Sequence, residues 1–591
     1  MSESSMIAPL RVANEAFLVS SMIERCPKTM MIRELVVNGL EAAAHAAPGK
    51  REVIIGPRMH EGARKLRIWN TGPGLNAAEL LQITDLASSL RKQNSLDQNF
   101  GMGAKVASLP SNRHGLRYRS CAGGRVSEVV MGYRDGTYGR LRIGLERLEV
   151  IDATETCIAE GDYDLSFDWT EVLLGGNSAD QDTVAAPYGT SLKVAPDWMG
   201  AYLENRFFRL PHDVTLTLMP AIWGGGAPRA MVGLDDRKGE FGRTETRITP
   251  SGVKIHYYYD PPEGESTRSA RGAIAASTSR GAVVFRDEMY DVRSGETWLQ
   301  DAPNYGVPFG AKYISIFVEL PHDYLVWPEA YRQFLRFRGN DQRHVHMSDF
   351  SALVRSYMPV WLAEIIRGFG PGQANYLDDI SDELKELLAS LGVPPTPQAP
   401  VPGAPERPNA SPAEAKPNAT ETPTEKAEKA QTSSLPPKPK PPVFERPPEI
   451  IGLRTPEQIK ERALEGRAAK FYPQSHQIFI NLAYPAVQEM VSALLAETEV
   501  QLGAHEEEAR RIATEAAEWT LTRRISRAIV YSLSKKALGW RPDEISRSQS
   551  TESLSLVADD WAGAMDMARA RYNDQLTAAF PALVAPEFVA A

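Results

Sequence analysis

The sequence predicts an α+β chain in which two sheet-containing units precede a proline-rich linker and a mostly helical C-terminal unit. Three observations carry this. Apolar residues at period two recur as far as Glu319, between stretches of helical spacing. Residues 392–448 then become dense in Pro, Ala, Glu, Lys and Thr with almost no aromatics, a composition that buries too little to fold. Beyond residue 449 apolar residues return at helical spacing. The predicted divisions are 1–205, 206–391, the linker 392–448, and 449–591.

Taken in order, the first informative element is Arg33-Glu34-Leu35-Val36-Val37-Asn38-Gly39-Leu40-Glu41-Ala42. Ile32, Leu35, Val36 and Leu40 mark one helix face, and Glu34, Asn38 and Glu41 the opposite one, so a carboxylate and a carboxamide share a side. Solvated helices carry such pairs by chance, so the pattern needs its context. Ala63 to Trp69 reads as a strand ending in Asn70-Thr71-Gly72-Pro73-Gly74-Leu75, whose glycines let backbone approach a ligand closely. After a short helix starting near Ala77 comes Asn99-Phe100-Gly101-Met102-Gly103-Ala104-Lys105. This second glycine-spaced turn enters a helix, where backbone N–H groups form an anion site and Lys105 adds positive potential. Tyr188-Gly189-Thr190-Ser191-Leu192-Lys193-Val194 then closes a loop onto a strand with a hydroxyl pair at its start.

Strand signals follow at Lys254–Tyr259, Gly281–Phe285 and Tyr313–Glu319, and then a helix-like stretch with Arg332, Phe334, Leu335 and Arg336. In the linker, Leu435-Pro436-Pro437-Lys438-Pro439-Lys440-Pro441-Pro442 reads as semi-rigid spacing, with a ligand for a proline-binding domain as the alternative. At about 3 Å per extended residue the linker could carry the C-terminal unit far from the first. That unit shows one short strand, His476–Leu482, and amphipathic segments at Glu506–Leu538 and Leu554–Leu576, separated by the stop signal Gly539-Trp540-Arg541-Pro542. A helical stripe is more often core than an oligomer seam, yet a helical unit behind a linker is also what a dimerisation domain looks like.

Composition excludes several classes. With 591 residues and 42% apolar content the chain can bury several cores. Cys26, Cys121 and Cys157 lack the paired spacing of a disulfide framework or a zinc site. No apolar run approaches the roughly 18–20 residues that cross a bilayer, and the N-terminus lacks the features of a signal peptide, so the expectation is a cytoplasmic protein without a membrane. A net charge of −9 does not advertise nucleic-acid binding. Two local clusters, Arg113, His114, Arg117 and Arg119, and Arg332, Arg336, Arg338, Arg343, His344 and His346, leave a DNA or RNA track as an alternative to solvated faces or internal contacts.

The order of these elements over roughly residues 10 to 200 resembles the GHKL superfamily of ATPases, which includes the gyrase B subunit, the ninety-kilodalton heat-shock chaperones, sensor histidine kinases, MutL and the MORC proteins. The layout is most similar to MORC-like or chaperone-like members. The resemblance implies a Bergerat-type α/β sandwich holding ATP–Mg²⁺ under a lid, followed by a transducer-like α/β domain. By position it implies that Glu34 is the general base, Asn38 the magnesium ligand, and Glu41 a residue on the adenine and ribose side, where the family usually has Asp. It implies that Gly72 and Gly74 form the first loop and that Asn99, Gly101 and Gly103 belong to the lid. Thr190 would support adenine, and Arg332 would reach the γ-phosphate, with Lys312 and Arg343 as rivals.

The chemistry is consistent with those residue types. Phosphoanhydride hydrolysis depends on positioning water and neutralising phosphate charge rather than on covalent chemistry. A carboxylate of suitable pKa and reach can take the water's proton, and magnesium keeps several waters, so one Asn carbonyl suffices as a protein ligand. One departure is Asn70, where the family has an aspartate that accepts from the adenine amino group. An Asn carbonyl can accept the same bond, but its NH₂ then needs a partner, because an unpaired buried polar group costs about 1–3 kcal/mol. Gln98 also stands where many relatives have glycine. A sensor-kinase role is set aside because no helix for a phosphoacceptor histidine precedes Glu34. Glu160-Gly161-Asp162 only superficially matches a topoisomerase metal triplet, because it lacks an accompanying acidic pair. The leading expectation is an ATP-gated homodimeric clamp or chaperone-like machine acting on a macromolecular client, whether DNA, RNA or protein. The alternatives are a non-hydrolysing nucleotide sensor, or a scaffold acting through the linker and the helical unit.

Overall fold

The computed structural model describes residues 13–85, 103–161, 163–195, 198–261, 279–329, 331–339, 342–370, 376–395, 444–497 and 505–580. Its elements begin with helices α1 (Glu15–Arg25) and α2 (Met31–Ala43), then β1 (Glu52–His60), β2 (Ala63–Thr71), α3 (Ala77–Ile83), α4 (Gly103–Ser108), β3 (Leu116–Ala122), β4 (Arg125–Arg134) and β5 (Thr137–Arg140). They continue through β6 (Ile151–Asp152), α5 (Thr154–Glu160), β7 (Trp169–Leu174), α6 (Trp198–Arg206), β8 (Thr215–Leu218) and β9 (Arg229–Met231). Among the described residues these strands form one sheet in the order β5-β4-β3-β7-β2-β1-β8-β9, with β6 beside β4.

Alternation sorts the two faces of this sheet. Leu66 and Ile68 of β2 join Val53 and Ile55 of β1, Leu116 and Tyr118 of β3, and Val172 and Leu174 of β7 beneath Ile32, Leu35, Val36 and Leu40 of α2. Fully burying each aliphatic side chain contributes about 1.5–3 kcal/mol, so the apolar stripe alone fixes which face of α2 meets the sheet. Glu34, Asn38 and Glu41 are left on the outer side. On the opposite face of the sheet, Cys121, Val126 and Trp169 pack with Cys157 of α5. All three cysteines are buried and none is disulfide-bonded.

A second sheet contains β10 (Arg243–Ile248), β11 (Lys254–Tyr259), β12 (Arg280–Phe285), β13 (Glu288–Ser294) and β14 (Ile314–Glu319), in the order β10-β11-β14-β12-β13. The expected strands are therefore present as β11, β12 and β14. The helix expected around Arg332 is absent. Residues there form a hairpin, β15 (Val326–Pro328) paired with β16 (Leu335–Phe337), because Leu335 and Phe337 bury on either side of Arg336 at period two. The strand expected at Leu192–Val194 is also absent, for Gly189–Ser191 is a 3₁₀ turn and the next residues are irregular.

The C-terminal unit is mainly helical, with helices at Pro485–Ala496, Glu506–Ser534, Thr551–Asp559 and Met565–Ala579. It also holds a small sheet of β17 (Glu449–Leu453), β18 (Ala469–Tyr472) and β19 (Gln477–Asn481), of which only β19 was legible as a strand. Gly539, at φ +81°, ends the run after the long helix. The helix Tyr376–Ser390 packs Tyr376, Ile380, Leu384 and Leu388 into this same C-terminal core. The backbone N–H of Glu445 donates to Val393 O at 2.9 Å, so the chain leaves and re-enters at one point. A helix before the linker is thus built into the core that follows it, which corrects the expectation of a distant C-terminal unit. Most of the linker, 396–443, lies outside the described residues. Among the described residues no helix is long and apolar enough to cross a membrane.

Candidate functional site

On α2, Glu34 sits in the first turn with its side chain 13% exposed, while Asn38 and Glu41 are exposed on the same side. Arg33 Nη1 donates to Glu34 Oε1 at 2.5 Å. The other carboxylate oxygen lies against Gly103, where a built Cβ would overlap it. Helix α4 therefore comes up to Glu34 only because its first residue has no side chain. Asn99 and Gly101, the preceding lid candidates, lie outside the described residues.

The turn after β2 is equally close-packed. Gly72, at φ +143°, abuts Ala42 O of α2, and a Cβ at Gly74 would overlap Cys121 O of β3. Asn70 is buried, and its Nδ2 donates to Thr71 O at 2.8 Å. The amide thus has the partner that the sequence left open, and its carbonyl oxygen is the end able to accept. Asn70 pairs across the sheet with Thr170 of β7. Thr170 Oγ1 lies 2.8 Å from Ser120 Oγ, which also accepts from the Leu75 N–H at 2.8 Å. Loop, β3 and β7 are thereby joined through two hydroxyls.

Thr190 is not in this group. The loop leading to it is fixed at the other end of β2, where Thr183 N–H donates to Arg64 O at 3.1 Å and Thr183 Oγ1 accepts from Leu66 N–H at 2.7 Å. Gly189 approaches Asn177 there, and Thr190 is exposed. The residue that stands opposite Asn70 is Thr170, which sequence reasoning missed. The signal for it is a threonine just ahead of the apolar run Val172-Leu173-Leu174 of a buried strand.

Lys105 is buried, and its ammonium donates to Ile83 O at 2.7 Å and to Asp85 O. Burial lowers its pKa to about 8. It closes the C-terminal end of α3, which differs from its expected place among the phosphate-binding groups. It also lines a cavity of about 500 Å³ with Val19, Ile23, Met131, Tyr138 and Arg140. That cavity includes none of Glu34, Asn38 or Asn70.

Arg332 lies in the turn of the β15–β16 hairpin at φ +56°. Tyr331 of this turn packs on the first core and lies 3.5 Å from Met22 O. Arg206 Nη2 donates to Arg332 O at 3.0 Å and also to Glu288. Burial raises the Glu288 carboxyl, but Arg206 and Arg33 more than reverse this and hold it at about 2, with Arg332 adding to them. The rivals are engaged within their own unit, with Lys312 over the Tyr313 ring at 5.0 Å and Arg343 paired with Asp349 at 2.8 Å.

In the cluster after the lid Arg117 and Arg119 are buried and internally paired, whereas Arg113 is exposed. Arg117 pairs with buried Glu171 at 3.0 Å, Arg119 with Glu128 and Glu160, and Arg113 with Glu24. Among the described residues no group of three or more His, Cys, Asp or Glu is placed to hold a metal ion.

No family model matches the chain, and no curated protein does. Among solved structures, the crystal structure of the ATPase region of Saccharomyces cerevisiae topoisomerase II bound to ICRF-187 (dexrazoxane) is similar at 9% identity and a TM-score of 0.31, covering 57% of this chain and 86% of that one.

Proposed function

We propose that this chain binds ATP as its magnesium complex beside α2 and hydrolyses it. The observation that carries the reading is convergence. The start of α4 meets the Glu34 carboxylate, and the 70–75 turn meets the same helix at Ala42, although these segments are far apart in sequence. Asn70 and Thr170 supply an acceptor and a hydroxyl on two central strands of the sheet, suited to an adenine amino group. Gly72 and Gly74 allow backbone close to a ligand there.

Asn38, one turn from Glu34 on the exposed side, would hold magnesium, which when bound neutralises charge on the phosphate oxygens. Glu34 takes the proton from the attacking water, Glu41 lies on the nucleoside side, and Gly103 with the lid residues Asn99 and Gly101 closes over the phosphates. Arg332, in the hairpin turn beside the first unit, reaches the γ-phosphate in this reading. In this reading the first unit, whose sheet runs on through β9 beyond the expected boundary at 205, acts as the ATP-binding unit, and the second sheet belongs to a transducer-like unit that ends before the helix Tyr376–Ser390. The helical C-terminal unit holds a homodimer whose heads close with ATP and act on a macromolecular client. ATP favours closure to the extent that it binds the closed state more tightly.

A second reading, a nucleotide sensor without turnover, is favoured by the Arg33–Glu34 pair, which ties up one oxygen of the base. Magnesium-dependent ATP turnover by wild type and Glu34→Ala, with mass in solution followed in a non-hydrolysable analogue, separates the two. Turnover lost in Glu34→Ala with binding kept is the result expected of an ATPase. Binding without turnover in wild type supports the sensor.

A further inference from the structure

We propose that Arg33 is a positioning residue for Glu34 and that Glu288 sets the position of Arg33, so that the second sheet governs the Glu34 carboxylate. This rests on the reading of Glu34 as the base. Arg33 is 4% exposed although its helix borders the candidate site. Its planar guanidinium reaches two carboxylates at once, with Nη1 donating to Glu34 Oε1 at 2.5 Å, and Nε at 3.1 Å and Nη2 donating to the two oxygens of Glu288. Glu288 opens β13 of the second sheet and accepts from Arg206 as well. Two cations and two anions therefore form one buried chain across the two sheets, and fork-shaped pairing of this kind is directional.

The consequence for Glu34 follows from the hydrogen bond. The carboxylate oxygen that accepts from Arg33 has one lone pair fewer to offer the attacking water, and release from Arg33 restores it. The pull of Arg33 on Glu34 is set by how much of the guanidinium Glu288 engages. Neutralising Glu288 turns Arg33 wholly towards Glu34, whereas removing Arg33 as well releases Glu34 again. The hairpin turn lies at the same junction, because the Arg332 carbonyl accepts from Arg206. A shift of the second sheet against the first is thus felt at Glu34 through one side chain.

The test is steady-state MgATP turnover by the full chain for wild type, Glu288→Gln, Arg33→Gln and the double variant, with nucleotide affinity and the thermal midpoint read alongside. Glu288→Gln is expected to lower kcat about tenfold with KM within about twofold, because the effect falls on the base and not on binding. The double variant is expected to be faster than Glu288→Gln alone, since the loss passes through Arg33. If Glu288→Gln does not fold, Glu288→Asp carries the test, because the shorter carboxylate engages Arg33 less fully, and a fall in kcat in the same direction at unchanged KM is expected. An unchanged kcat, a double variant no faster than Glu288→Gln, or a loss confined to affinity and thermal midpoint overturns the proposal while leaving Glu34 as the base. Wild-type turnover that does not depend on Glu34 overturns both.

Discussion

Gly103 decides how closely α4 can approach Glu34, because any Cβ there overlaps the carboxylate. Gly103→Ala is therefore expected to push the Glu34 side chain aside at a cost of at most about 1 kcal/mol of stability, and to lower turnover at least about tenfold. Thermal unfolding and phosphate release read the two effects separately. Thr170 and Thr190 offer a contrast at the same scale. Thr170→Val removes a hydroxyl that lies beside Ser120 and opposite Asn70, and is expected to weaken nucleotide binding by about 1 kcal/mol. Thr190→Val, at the other end of β2, is expected to leave affinity unchanged. Equal effects of the two substitutions in a fluorescent-nucleotide titration would count against the placement of adenine at Thr170.

Among elements, α2 was legible because its apolar spacing names a single buried face, which Ile32, Leu35, Val36 and Leu40 occupy. The strands at 254–259, 281–285 and 314–319 were legible for the same kind of reason at period two. What failed were short segments whose partners lie elsewhere in the chain. Three residues of β16 carry too little period to outweigh a cluster of arginines, and Leu192-Lys193-Val194 has a strand's composition without a neighbouring strand to pair with. The neutralisation of Arg117 and Arg119 by Glu171, Glu128 and Glu160 was likewise invisible, since it needs the register of β3, β4 and β7 and the packing of α5 on them. The return of the chain to the point where the linker begins is marked by a hydrogen bond, Glu445 N–H to Val393 O, and by Val393 and Ile450 sharing one core. Replacing 396–443 with a few Gly and Ser residues is therefore expected to leave the thermal midpoint within about 3 °C, because shortening a loop whose ends already meet costs little. Loss of folding on excision would show that the segment contributes to the core.

For the whole molecule, two junctions among the described residues join its parts. At the first, Glu288 has a carboxyl held at about 2, against 4.5 as the ordinary value. Its folded pKa is the lower one, so the unfolded chain binds more protons in that window. The stability it contributes is complete above about pH 4.5 and lost as pH falls towards 2, on the order of 3 kcal/mol. Glu288→Gln is expected to flatten the acid limb of stability against pH, as measured by urea unfolding. At the second junction, buried Arg462 donates to Leu299 O and to Pro308 O at 2.6 Å, with its guanidinium over Phe479 at 5.2 Å. Arg462→Ala would leave two carbonyls without that donor and is expected to loosen the C-terminal unit from the second sheet, seen as a larger radius of gyration in solution scattering. An unchanged radius would mean that apolar packing around Phe309 holds the junction without it.

Hydrolysis of ATP at Glu34 is the proposal on which the others rest. Single-turnover phosphate release from MgATP, measured for wild type and Glu34→Ala after each is shown to bind nucleotide, tests it directly. Release by wild type and a fall of about a hundredfold or more in Glu34→Ala at similar affinity are expected. Equal release by the two proteins, or no nucleotide binding by either, would contradict it.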